Sequence, residues 1–75
     1  MTGETYAVGV KRGGELSFLT IGSFASLELA RQFVRADSRG RGREASGYSD
    51  DPDGGQWIMR AGDDTYLIER SAPRA

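Results

Sequence analysis

The run Ser49-Asp50-Asp51-Pro52-Asp53-Gly54 is where this chain comes closest to a metal-binding chemistry. Carboxylates at alternate positions followed by a turn glycine resemble the start of a calcium loop. Such a loop needs a bidentate glutamate at its twelfth position. Counted from Ser49, that position is Arg60, so the pattern fails at its decisive ligand and reads as a solvated turn. Nucleophilic catalysis fares no better. Ser23, Ser26, Ser38, Ser46 and Ser49 have no histidine to activate them, and Lys11, the single lysine, sits in a turn. With neither cysteine nor histidine in the chain, disulfides, thiol chemistry and the usual zinc and haem sites are excluded. Gly40-Arg41-Gly42 lacks the third glycine of a dinucleotide fingerprint, and Gly9 to Gly14 lacks the Gly-Lys-Ser/Thr ending of a phosphate loop. The expectation is a protein that is not an enzyme and carries no cofactor.

Charge offers two further candidates. Net charge is −1, but from Arg31 to Arg43 there are five arginines and one aspartate, and from Asp50 to Glu69 six acids and one arginine. The Arg39-Gly40-Arg41-Gly42-Arg43 run suits nucleic acid. Arginine binds phosphate bidentately and glycine lets the backbone follow. Arg31 and Arg35 extend that patch along the helix, and Arg35, Arg39, Arg41 and Arg43 are the candidate nucleic-acid contacts. Against them stands the acidic balance of the whole chain. The second block offers Asp50, Asp51, Asp53, Asp63 and Asp64 as candidate partner-binding acids, with Glu69 nearby. If two turns bring these acids together at one end of a sheet, they imitate the phosphates of a nucleic acid and fill a basic groove on another protein. The plainer reading is that the two blocks face each other and cancel.

The elements that would carry these residues follow from periodicity. Thr5 to Val10 alternates as a half-buried strand, Lys11-Arg12-Gly13-Gly14 turns, and Leu16 to Ile21 returns, with Gly22 ending the strand. Ser23 or Ser26 caps a helix, Ser26 being preferred because Glu28 then falls in the first turn, and Leu27, Ala30, Phe33 and Val34 make its apolar stripe, widened by Leu29 and Ala36. The helix stops near Asp37, Ser38 and Gly40. Gln56 to Arg60 and Thr65 to Glu69 form a second hairpin around Ala61-Gly62-Asp63-Asp64. The prediction is one α+β domain over 1–75: a four-stranded antiparallel sheet of two hairpins with one helix on a face, ββαββ. Residues 38–55 are expected to be a long polar connection and 71–75 a flexible tail. A single helix leaves one sheet face open, and Tyr6, Phe18, Trp57 and Tyr66 are the aromatics that could line it.

Two resemblances attach to these residues. The phrase Ile21-Gly22-Ser23-Phe24-Ala25-Ser26-Leu27-Glu28-Leu29-Ala30 resembles the strand-to-helix junction of SPOR domains, which bind septal peptidoglycan. That family has a second strand–helix repeat, which Arg39 to Gly55 does not supply, so the phrase reads as convergent. By type, the chain resembles small phage-encoded inhibitors of bacterial defence, the anti-CRISPR proteins among them: short, motif-free, α+β and charge-segregated. That likeness implies a non-enzymatic protein-binding module that inhibits a nucleic-acid-targeting complex. The alternative is a small nucleic-acid-binding accessory protein using its arginine loop. The expected state is a monomer or weak homodimer. No apolar run is long enough to span a bilayer, and the start lacks a signal-peptide pattern, so the expected location is cytoplasmic.

Overall fold

The computed structural model describes residues 4–71. Helix α1 spans Leu27–Gly40 and starts as its sequence requires. Ser26 holds extended backbone, and its Oγ accepts a hydrogen bond from the Leu29 N–H at 3.2 Å. That satisfies one of the orphan donors of the first turn, where Glu28 also complements the dipole. The stripe then lies on the sheet: Ala30 and Val34 are fully buried, and Leu27 and Phe33 pack against them.

The helix ends in a Schellman motif. The Gly42 N–H donates to the Arg39 carbonyl at 2.9 Å and the Arg43 N–H to the Ser38 carbonyl at 2.9 Å. The motif needs a left-handed residue just past the cap, and Gly42 supplies it at φ +74°. Arg41, not Gly40, is therefore the cap residue. The backbone reverses at Gly42 and carries Arg43 back toward the sheet.

Five strands form one antiparallel sheet: β1 Thr5–Lys11, β2 Leu19–Phe24, β3 Ser46–Asp51, β4 Gln56–Ala61 and β5 Asp64–Ser71, in the order β2-β1-β5-β4-β3. The α+β class with one helix and an antiparallel sheet holds. The strand count of four does not, because β3 arises inside the stretch 38–55 that reads as a polar connection, and α1 takes its first residues. Ser-Gly-Tyr-Ser-Asp-Asp has poor strand propensity. Its extended form comes from pairing with β4, from Ser46 opposite Arg60 to Asp51 opposite Gln56, which no local pattern announces. Of the expected tail, Ser71 belongs to β5, and residues 72–75 lie outside the described residues.

β2 also starts and ends three residues later than its sequence suggests. The turn between β1 and β2 is closed by a Glu15 N–H to Arg12 carbonyl hydrogen bond of 2.9 Å, and bends continue past Leu16. Gly22 does not end the strand. It lies opposite Val8, and a Cβ there would meet the Phe24 ring at 3.0 Å. The glycine lets the Phe24 ring fold back to pack on Phe33, with ring centroids 5.0 Å apart.

The core lies between α1 and one sheet face. Val8 and Val10 of β1, Tyr66 and Ile68 of β5, and Trp57, Met59 and Ala61 of β4 share it. The aromatics expected on the open face therefore mostly lie on the covered one. Tyr66 is fully buried and Trp57 nearly so, and Tyr6 stacks obliquely on Trp57 with centroids 5.9 Å apart. A helix over three strands needs volume to fill the gap, and the large rings provide it. Phe18 alone takes the other side, over Gly9, with the Lys11 ammonium 5.3 Å from its ring centroid.

Candidate functional site

Charged side chains converge where α1 ends against the β1 and β5 strand ends. Arg12, one residue past β1, donates from Nη1 to Asp64 Oδ2 at 2.7 Å. Asp64 opens β5 beside Tyr66, whose hydroxyl donates to Asp37 Oδ2 at 2.6 Å. Asp37, in the penultimate turn of α1, also has Arg12 Nη2 at 3.8 Å and Arg41 Nε at 3.5 Å. Arg43 Nη1 stands 3.9 Å from Asp64 Oδ1. Three guanidinium groups thus surround two carboxylates and a phenol. Among the described residues no fully buried side-chain polar atom is left without a hydrogen-bond partner.

Local chain geometry explains the convergence. The Gly62-Asp63 loop joins β4 to β5 with positive φ only at Gly62, +63°, the pattern of a type II′ turn. Arg43 lies on that bare backbone: a Cβ on Gly62 would fall 2.7 Å from its Nη1. Two glycines in left-handed backbone therefore seat one arginine, Gly42 by turning the chain and Gly62 by leaving room.

The surroundings shift two groups. For the Tyr66 hydroxyl, burial and then the hydrogen bond to Asp37 raise the pKa above the ordinary tyrosine range, with Arg12 working against them. For Arg12, burial works to lower the pKa. The hydrogen bonds and charges of Asp64 and Tyr66 outweigh it, so the guanidinium is held still more firmly charged.

The acids singled out from the sequence do not form one surface. The β3–β4 turn and the β4–β5 turn lie at opposite ends of β4, about 17 Å apart at the strand rise per residue. Asp50 pairs with Arg31 at 3.6 Å. Asp51 Oδ1 accepts the Gly54 N–H at 3.1 Å and so serves its own turn. Asp64 is buried against Arg12. Asp53 and Asp63 are exposed, one at each end. Two turns on one β-strand must sit at its two ends, and that geometry overturns the expectation of a gathered acidic face. Among the described residues, no group of three or more acids is placed to hold a metal ion.

The candidate arginines divide between two clefts. Arg41 and Arg43 join the cluster above, and with Arg12, Gly40 and Asp64 they line an open cleft of about 480 Å³. Arg35 and Arg39 line a smaller cleft of about 160 Å³ with Ser38, Glu44 and Ala45, and neither has a carboxylate within 4.0 Å among the described residues. Sequence reasoning missed Arg12, Asp37 and Tyr66. Arg12 meets Asp64 across 52 positions, so only the register of β1 against β5 could have revealed the pair.

A second candidate surface is apolar. Leu16 is 98 % exposed, Leu19 66 % and Phe18 39 %, and all three lie at or just before the outer strand β2. Between Leu19 and Phe24 there is no charged residue. The other outer strand, β3, carries Asp50 and Asp51 and a register irregularity between Gly47 and Ser49.

Comparison with protein-family models, with curated proteins and with solved structures gives no match. No helix among the described residues is long and apolar enough to cross a membrane.

Proposed function

We propose that this chain is a non-enzymatic protein-binding module that engages an extended segment of its partner along β2. The observation that carries the reading is the uncharged outer strand beside exposed Leu16, Phe18 and Leu19. An outer strand presents unpaired N–H and C=O groups, and natural proteins usually blunt it with charge, proline or a bulge. β3 has charge and a bulge. β2 has the same kind of irregularity, opposite Val8 and Gly9, but carries no charge. A partner strand laid along β2 gains main-chain hydrogen bonds, and the three apolar side chains supply specificity. Inhibition of a nucleic-acid-targeting complex, as the likeness by type implies, is the biological form proposed for this contact. The acidic mimicry version loses support, since the aspartates are dispersed and partly neutralised.

The test is affinity capture from a nuclease-treated native-source lysate, with the wild type beside the double variant Leu16→Asp/Leu19→Asp. Both positions are exposed, so the variant keeps its fold. A specific protein captured by the wild type and lost by the variant supports the reading. Equal capture by both refutes it. Capture that vanishes with nuclease transfers the contact to the arginines. If the wild type is instead a dimer in light scattering and the variant a monomer, the occupant of β2 is a second copy of this chain.

A further inference from the structure

We propose that the cleft bounded by Arg12, Arg41 and Arg43 binds a phosphate group carried on a small ester or on a nucleic-acid backbone. The inference does not rest on the β2 contact.

The arginines of the cluster have donors to spare. Of the contacts in the cluster between arginine and carboxylate, only Arg12 Nη1 to Asp64 Oδ2, at 2.7 Å, is a hydrogen bond. The approaches of Arg41 to Asp37 at 3.5 Å and of Arg43 to Asp64 at 3.9 Å are ion pairs alone. Among the described residues, the Arg41 and Arg43 guanidinium groups donate no hydrogen bond, although each carries five N–H donors. The two aspartates hold these groups near the cleft without saturating them.

Geometry and charge then select the ligand. The three arginines come from the β1–β2 connection, the cap of α1 and the residue after the Schellman glycine, and all three line the cleft. A planar carboxylate is matched by a single guanidinium fork, whereas a tetrahedral oxyanion accepts donors from several sides. Three cations face the two carboxylates they pair with, and Asp63, in the turn under Arg43, is a third acid at this end of the molecule. The cleft, about 480 Å³, is open, so a group larger than a bare phosphate can enter it. The C-terminus of α1 contributes the negative end of its dipole here. Attraction must therefore come from the guanidinium groups, and it should weaken steeply as salt rises.

The seating of Arg43 is a second observation. Gly42 and Gly62 both adopt backbone that other residues resist, and together they place this side chain over the β4–β5 turn. Gly42 adopts it as the residue of the Schellman motif and Gly62 as the turn residue, and Arg43 occupies the room they leave.

The test is a titration followed through the side-chain Nε–H resonances of Arg12, Arg41 and Arg43. The probes are inorganic phosphate, adenosine monophosphate and a short single-stranded oligonucleotide, with acetate as control at matched low ionic strength. The expected result is a saturable shift with phosphate probes and none with acetate, with affinity at least about tenfold weaker in Arg41→Gln, whose side chain is half exposed. Arg43→Gln gives the same loss. Tighter binding of the mononucleotide names a small phosphate ester as the ligand, and tighter binding of the oligonucleotide names a nucleic-acid backbone. Equal shifts with acetate, no saturation with any probe, or unchanged affinity in Arg41→Gln overturns the proposal. Leu16→Asp/Leu19→Asp should bind the probes like the wild type, which separates this site from the β2 contact.

Discussion

Replacing Asp64 by asparagine keeps its shape and removes its charge. The side chain is only 9 % exposed and accepts the shortest hydrogen bond Arg12 makes, 2.7 Å. A hydrogen bond to a charged group contributes about 1.5–3 kcal/mol. Two corrections follow from the geometry. Arg12 is 28 % exposed, so water recovers part of what it loses. Arg43, at 3.9 Å, loses a solvent-screened attraction of about 0.2–1 kcal/mol. Together these give a cost of about 2 kcal/mol. A chain of this length has a total stability of about 4–11 kcal/mol, so the loss is a large share. It corresponds to a fall in Tm of about 8–16 °C. Arg12→Gln should cost at least as much, about 2 kcal/mol, because it leaves the nearly buried Asp64 carboxylate without its hydrogen bond and with only the 3.9 Å approach of Arg43. In the double variant the costs should fall short of the sum by about 1 kcal/mol, since the two single changes break the same bond. Thermal and urea denaturation followed by circular dichroism at neutral pH supplies all four corners of the cycle. If Asp64→Asn melts within about 2 °C of the wild type, or the two costs simply add, the carboxylate does not anchor this end of the molecule and the reasoning fails.

Three further outcomes are expected. Tyr66 has its folded pKa raised above the unfolded value of about 10, so its contribution is complete below that pH and is lost as pH rises through the folded value. Urea midpoints should therefore fall above about pH 10 in the wild type, and a Tyr66→Phe variant that retains the same fall would contradict the assignment. Gly62→Ala forces a Cβ into left-handed backbone and into the Arg43 side chain, costing about 1–2 kcal/mol in chemical denaturation; a neutral substitution would mean that Arg43 is not seated there. Ile68→Ala, at a fully buried position on the central strand β5, should cost about 2–5 kcal/mol, and a loss under about 1 kcal/mol would place that side chain outside the core.

What the sequence made legible depends on whether the cause was local. The Ser26 cap, the stripe Leu27-Ala30-Phe33-Val34 and the alternations Trp57/Met59 and Tyr66/Ile68 each rest on residues within a few positions of one another, and each is found as read. β3 rests on a partner strand, so its Ser, Gly and Asp residues pointed to a loop. Gly22 misled for a related reason. A glycine in a sequence suggests a break, while its actual cause is the Phe24 ring folded back over it and held by Phe33 on the helix. The candidate site divides in the same way. The Arg-Gly run was visible as composition, but Arg12 and Tyr66 join it only through the register of β5 with β1, and Asp37 only because α1 ends above them.

The same distinction governs what charge along the chain can mean. Counted by position, Arg31 to Arg43 and Asp50 to Glu69 are two strong opposite blocks. In the fold they partly consume each other: Arg31 with Asp50, and Arg43 with Asp64, while Asp37 pairs with Arg41 inside the basic block itself. The acidic block ends dispersed along the two ends of β4. Of the basic block, Arg39, Arg41 and Arg43 stay near one pole, because the last turn of a helix and a Schellman reversal hold them there, and Arg12 is added to them from another part of the chain. A surface where cations gather and carboxylates are too few to satisfy their donors is the kind that attracts an anion. That asymmetry, rather than the net charge of −1, is why phosphate is the ligand to test at this pole.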